Sequence, residues 1–133
     1  MKFRIEGEYF NKNCFPGLND LLHEATRHPQ AYGRMKKQYE MIATNSIRRY
    51  LRGYKCEGYV IPHFTFGERS RGKKRDYDNI VAGGRKIILD ALTKTQTIKD
   101  DSPTYLGFGT NDFVYVDKPF IEVELEEVKE SDK

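Results

Sequence analysis

Cysteine is scarce in this sequence, and its spacing argues against a disulfide framework or a zinc site. Only two of the 133 residues are cysteines, Cys14 and Cys56, and neither belongs to a Cys-x-x-Cys pair or lies beside a pair of histidines. A chain of this length can bury a core without disulfides or a structural metal. We therefore expect both side chains to be reduced thiols.

Long hydrophobic runs are also absent. No stretch approaches the roughly 18 consecutive apolar residues that a membrane-spanning helix needs. The first ten residues, MKFRIEGEYF, alternate apolar and charged side chains and lack the apolar stretch and the cleavage site of a signal peptide. We expect a cytoplasmic protein that does not contact a membrane.

Several familiar catalytic and cofactor motifs are missing. There is no P-loop, and Gly107-Phe108-Gly109 lacks the rest of a dinucleotide-binding motif. His23 and His28 are five residues apart, so they would diverge on a helix instead of forming the i, i+4 pair that binds zinc. The net charge of +3, from 23 basic and 20 acidic residues, is too small to identify a nucleic-acid-binding protein by itself.

The hydrophobic pattern predicts one α+β domain over residues 1–133. Short alternating segments indicate strands, and apolar residues at helical spacing indicate helices. We expect a small mixed or mostly antiparallel sheet of about four strands, packed with about three helices. The predicted strands are residues 2–9, 58–67, 104–110 and 119–128, and the predicted helices are residues 21–27, 33–52 and 79–92.

Two closely spaced aspartates are the first candidate site. In an extended chain residues two apart point to the same side, so Asp76 and Asp78 would aim their carboxylates together, with Tyr77 pointing into the protein. Two such charges repel by ~4 kcal/mol at an effective dielectric constant of about 20, which favours a bound cation. Carboxylate oxygens select Mg²⁺ or Mn²⁺. The alternative is a solvated turn in which Asp78 caps the helix.

A second acidic pair, Asp100-Asp101, follows the predicted helix. That helix is about 20 Å long, and a loop returning from its far end would bring the pair back beside Asp76 and Asp78. The result would be a three-carboxylate cluster that binds one or two divalent ions and assists attack on a phosphodiester. The alternative is an ordinary acidic turn.

Basic residues surround these aspartates. Lys86 and Asp90 are four residues apart on one helix face, so Lys86 either stabilises a phosphate transition state or simply pairs with Asp90. A basic segment before Asp76 is either a solvated loop or a track for DNA phosphates, since it would offset the repulsion between carboxylates and a polyanion. Its cations are Arg69, Arg71, Lys73, Lys74 and Arg75.

The segment from residue 75 to residue 101 resembles the RusA family of Holliday junction resolvases, many of which are encoded by phages and prophages. The matching motifs are Arg75-Asp76-Tyr77-Asp78-Asn79, then Lys86-x-x-x-Asp90-Ala91-Leu92, then Asp100-Asp101. The four residues Val81 to Gly84 add about one helical turn relative to compact members of that family.

The resemblance implies a RusA-like fold and a homodimeric endonuclease that depends on Mg²⁺, with Mn²⁺ as a substitute. Such an enzyme would nick two strands of a four-way DNA junction symmetrically. By position, Asp76, Asp78 and Asp101 resemble the metal-binding carboxylates, with Asp100 as a neighbour of the third. Lys86 resembles the lysine near the scissile phosphate. The alternatives are a branched-DNA-binding protein that does not cleave, and a structural protein whose carboxylates form surface ion pairs.

Overall fold

The computed structural model describes residues 1–7 and 15–128. It confirms the predicted α+β class, with three helices and a four-stranded mixed sheet within those ranges. The strands are β1 (Lys2–Glu6), β2 (Val60–Arg69), β3 (Thr110–Val116) and β4 (Phe120–Glu127), and the helices are α1 (Leu18–Arg27), α2 (Ala31–Leu51) and α3 (Tyr77–Lys94). Cys14, the last two residues of the predicted first strand and the C-terminal ESDK lie outside the described residues.

The sheet has the strand order β1-β4-β2-β3. β4 pairs antiparallel with both β1 and β2, whereas β2 and β3 are parallel. A parallel pair needs a crossover, and α3 provides it. The end of β2 and the beginning of α3 therefore lie at one end of the sheet, and the end of α3 and the approach to β3 lie at the other.

The core lies between the three helices and one face of the sheet. In β4, Ile121, Val123 and Leu125 are buried, while the glutamates between them are more exposed, as the alternating pattern predicts. Cys56 is a free, buried thiol, in agreement with the expectation for that residue. No helix in the described ranges combines the length and the apolar character that crossing a membrane requires.

The predicted strand at residues 104–110 is wrong. The carbonyl oxygen of Ser102 accepts hydrogen bonds from the backbone N–H groups of Tyr105 and Leu106 at 3.0 and 2.9 Å, which makes this stretch a turn. The strand begins at Thr110 and continues through polar residues at the edge of the sheet. Half-exposed edge positions tolerate such residues, so they give only a weak strand signal.

Gly83 of α3 lets the chain before α1 pack directly on this helix. A Cβ atom on Gly83 would lie 2.6 Å or less from the backbone of Gly17 and Pro16. The Asn79 side chain also accepts a hydrogen bond from the backbone N–H of Asn19 at 2.7 Å. These contacts fix the start of α1 beside the first turns of α3.

Candidate metal and nucleic-acid site

An open cleft of about 750 Å³ lies where the chain leaves β2 and enters α3. Its walls come from the start of α1, the segment before α3, the first two turns of α3, and Tyr115 near the end of β3. Asp76 and Asp78 both line this cleft. The structure therefore brings the first predicted pair of carboxylates to one surface.

Each of the two aspartates has a distinct backbone position. Asp76 is the N-cap of α3 and is extended (φ −67°, ψ 141°), but its side chain makes no capping hydrogen bond. Asp78 lies in the first helical turn, where the positive end of the helix dipole favours a negative side chain. Neither carboxylate has a hydrogen-bond or ion-pair partner among the described residues, so both remain available to a ligand.

The prediction that Tyr77 points into the protein is wrong. The residue is 55% exposed, and its ring lies 4.3 Å from the ring of Phe113, centroid to centroid. The reason is that Tyr77 is already the first residue of α3, so the extended alternation expected of Asp76-Tyr77-Asp78 ends at Asp76. The exposed side chain of Tyr115 lies beside Tyr77, and the hydrogen bond between the two raises the pKa of Tyr115.

Asp100 and Asp101 do not join this pair within one chain. The N–H groups of Thr97 and Ile98 donate to the carbonyl of Leu92, which holds the following residues at the C-terminal end of α3. The helix has 18 residues and is therefore about 27 Å long. Among the described residues, no group of three or more His, Cys, Asp or Glu side chains is placed to hold a metal ion. The prediction that the loop after α3 brings Asp100 and Asp101 back beside Asp76 and Asp78 is therefore wrong for a single chain.

Lys86 does not line the cleft either. Its Nζ lies 3.4 Å from Oδ1 of Asp90, one helical turn away, and Nζ of Lys36 lies 2.9 Å from the other oxygen of that carboxylate. The simple ion pair that the spacing allows is therefore present. Hydrogen bonding to Asp90 raises the pKa of Lys36.

The basic segment forms the loop between β2 and α3. Arg69, Arg71 and Lys73 are exposed, and the first two, with Ser70, Val116 and Asp117, border a further hollow of about 360 Å³. The Nζ of Lys74 donates to the carbonyl of Ser70 at 2.6 Å and lies 5.0 Å from the centre of the Tyr115 ring. This lysine borders the aspartate cleft, so positive charge adjoins the two carboxylates.

Arg75 has a different environment from the rest of the segment. Its Nε and Nη2 donate to the two oxygens of Glu68, each at 2.8 Å, and Nη1 donates to the Phe15 carbonyl at 3.0 Å. Both side chains of the pair are largely buried. Arg75 therefore holds the cleft wall together, and the predicted phosphate contact is not assigned to it.

Sequence reasoning missed Glu68, Tyr115, Arg85 and Phe108. Glu68 lies seven residues before its arginine, and only the bend after β2 brings them together. Tyr115 lies in the strand whose position was predicted incorrectly. The signal for Phe108 was visible, because it stands between two glycines in a short motif.

Comparison of the chain with protein-family models and with curated proteins gives no match in either case.

Proposed function

We propose that this protein is a Mg²⁺-dependent endonuclease that cleaves branched DNA, with the four-way junction as its main substrate. The observation that carries the proposal is the pair of unpartnered carboxylates, Asp76 and Asp78, in a cleft bordered by basic residues. A protein that only bound DNA would gain nothing from negative charge at a phosphate-facing surface. A surface ion-pair role is disfavoured because neither aspartate has a described partner.

The two aspartates fit the requirements of Mg²⁺ in proteins. This ion is usually held by one or two carboxylates, while water and substrate phosphates complete its shell. Mn²⁺ prefers the same oxygen ligands. When bound, the ion would lower the pKa of a water molecule and offset the negative charge of the scissile phosphate.

The residues around the aspartates would position the DNA strand. Lys74 borders the cleft, and Arg69, Arg71 and Lys73 extend the positive surface away from it. Contacts of this kind recognise phosphates, so binding should be strongly salt-dependent and selective for shape more than for sequence. Arg75 would act indirectly by fixing the segment that carries these cations.

The proposal includes a homodimer. Symmetric nicking of two strands needs two equivalent sites, and a two-fold dimer supplies them in an arrangement that matches the pseudo-two-fold symmetry of a junction. A monomer of 133 residues offers one such cleft among its described residues.

A second candidate is a branched-DNA-binding protein that does not cleave. The observation that favours it is the distance of Asp100 and Asp101 from the cleft, which leaves two carboxylates there instead of three in the described part of one chain.

A labelled synthetic four-way junction separates the two candidates. The wild-type protein is incubated with it in Mg²⁺ and in EDTA, beside Asp76→Asn, Asp78→Asn and a matched control, Asp112→Asn, which changes an exposed carboxylate on β3 outside the cleft. We expect Mg²⁺-dependent nicks from the wild type and the control, and binding without nicks from the two cleft variants. Binding without cleavage in any metal supports the second candidate, and absence of binding contradicts both.

A further inference from the structure

A second surface with the chemistry of a ligand site lies where the chain enters β3. Phe108 stands on the loop before this strand and is 73% exposed. The loop is anchored to β2, because the backbone N–H of Gly107 donates to the carbonyl of Val60 at 2.9 Å and Gly109 (φ +74°) packs so closely on Pro62 that a Cβ there would overlap its carbonyl oxygen. The aromatic ring is therefore presented to solvent by a fixed backbone.

Arg85 lies directly against this ring. Its guanidinium carbon is 4.6 Å from the centre of the Phe108 ring and 4.8 Å from that of the buried Phe64 ring. Arg85 is only 8% exposed, and among the described residues it has one hydrogen bond, from Nη1 to Oδ1 of Asn111 at 3.3 Å, and no carboxylate partner. Burial lowers its pKa.

A nearly buried arginine without a counter-ion is uncommon, because burying a charge is costly unless the charge is paired. The guanidinium has five N–H donors, and a single hydrogen bond leaves most of that capacity unused. An anionic group of a ligand would complete the pairing. The adjoining exposed ring adds a flat apolar surface that such a ligand would also cover.

The position of Arg85 relates this surface to the aspartate cleft. Asp78 and Arg85 are seven residues apart in α3, so they project from the same side of the helix about 10 Å apart along its axis. Tyr77, next to Asp78, packs its exposed ring on the half-buried Phe113 of β3, and Asn111 two residues earlier in the same strand accepts the hydrogen bond from Arg85. Aromatic rings interleaved with cations are typical of surfaces that bind unpaired nucleic-acid strands.

We propose that Phe108 and Arg85 form a subsite for one unpaired nucleotide of the DNA strand: the ring stacks on the base, and the guanidinium binds a backbone phosphate. The inference rests on the proposed action on DNA and deepens it, because it gives the enzyme a contact that an intact duplex cannot satisfy. Bases within a duplex are already stacked, whereas a distorted branch point offers unstacked ones. An acidic protein segment would pair with Arg85 but would not use the ring in this way.

The chain contains no tryptophan, so Phe108→Trp introduces a single tryptophan, whose fluorescence is excited selectively over that of the nine tyrosines. The control is Val114→Trp, an exposed residue of β3 on the opposite face of the sheet. Both variants are titrated in EDTA with an eight-nucleotide oligo-dT, a blunt duplex and a four-way junction. We expect the oligonucleotide and the junction to quench the Phe108→Trp signal, the duplex to quench it little, and the control signal to stay unchanged.

Affinity measurements test the two side chains separately. Phe108→Ala should weaken binding of the oligonucleotide by about 5- to 150-fold, the range expected for removing one base–aromatic stack, and Phe108→Tyr should restore it. Arg85→Met should reduce the dependence of log K on log salt by about one phosphate contact. If Arg85→Met does not fold, the Phe108 variants decide, since this exposed ring can change without loss of the core.

The results distinguish this inference from the proposed nuclease activity. Nicking by the wild type, with unquenched Phe108→Trp and full affinity of Phe108→Ala, overturns the subsite and leaves the nuclease standing. Quenching by the oligonucleotide without nicking in any metal supports the subsite and contradicts the nuclease. Dissociation of a dimer by Phe108→Ala, with DNA affinity unchanged, would assign the surface to a second copy and overturn the proposal.

Discussion

Arg75 stabilises the fold, whereas the exposed cations of the same segment are the ones proposed to contact DNA. Its bidentate pair with Glu68 is largely buried, so Arg75→Met leaves a carboxylate without its partner. We expect the free energy of unfolding to fall by about 3 kcal/mol, near the lower end of the range for breaking a buried pair. Denaturant unfolding measures this change.

The matched control for Arg75 is the exposed Lys73, two residues earlier in the same loop. Lys73→Met should leave stability within about 0.5 kcal/mol and should lower the salt slope of DNA binding by about one. The opposite pattern, with Arg75→Met stable and Lys73→Met destabilised, would contradict both assignments.

Lys86 is a second single residue whose role can be tested. It forms an ion pair with Asp90, whereas the sequence resemblance implies a place near the scissile phosphate. Asp90 keeps Lys36 as a partner when Lys86 is replaced. We expect Lys86→Met to change the free energy of unfolding by about 0.5 kcal/mol or less. The rate of junction nicking should fall by less than about tenfold, equivalent to 1.4 kcal/mol of transition-state stabilisation. A fall in the nicking rate of about a hundredfold or more would instead indicate that Lys86 takes part in the reaction.

Among the elements, the contact between α3 and the chain before α1 gives a sharp prediction. Alanine is favoured over glycine inside a helix by about 1 kcal/mol, so Gly→Ala normally stabilises. At Gly83 the new methyl group would overlap the backbone of residues 16 and 17, so we expect Gly83→Ala to destabilise the protein. Gly33→Ala in α2, where no atom lies within 4 Å, should stabilise it by about 1 kcal/mol. Thermal unfolding of the two variants measures the difference in sign, and equal shifts would contradict the packing.

Sequence patterns predict the helices of this protein better than its third strand. The predicted ends of all three helices lie within about three residues of the observed ends, because amphipathic spacing marks each helix, and Pro29 and Gly53 follow the first two. β3 was misplaced because Asn111 and Asp112 interrupt its apolar pattern, while Tyr105 and Leu106 resemble a strand and form a turn. The pairing of β3 with β2, and not its own sequence, decides where it begins.

Over the whole molecule, the sequence predicts those parts of the candidate site that depend on local structure and not those that depend on topology. Asp76 and Asp78 were predictable because two residues of separation and a helix start are local properties. The expected return of Asp100 and Asp101 depended on topology, and the parallel pairing of β2 with β3 makes the chain cross the full length of the sheet before the loop begins. Arg85 and Phe108 were missed for the same reason, since their contact joins α3 to the approach of β3.

Because α3 separates Asp78 from Asp101, the affinity of the protein for Mn²⁺ should depend on Asp78 and not on Asp101. Hydrogen bonds from Thr97 and Ile98 to the Leu92 carbonyl hold the segment before Asp101 at the end of α3 opposite the cleft, so Asp101→Asn should leave the affinity for Mn²⁺ unchanged in the absence of DNA. Asp78→Asn should weaken it by at least about tenfold, the loss that even an outer-shell partner of a metal site produces. Isothermal titration of each variant with Mn²⁺ measures both effects. An equal loss in the two variants would mean that opposite ends of α3 meet between two copies of the chain, because one copy alone cannot bring them together.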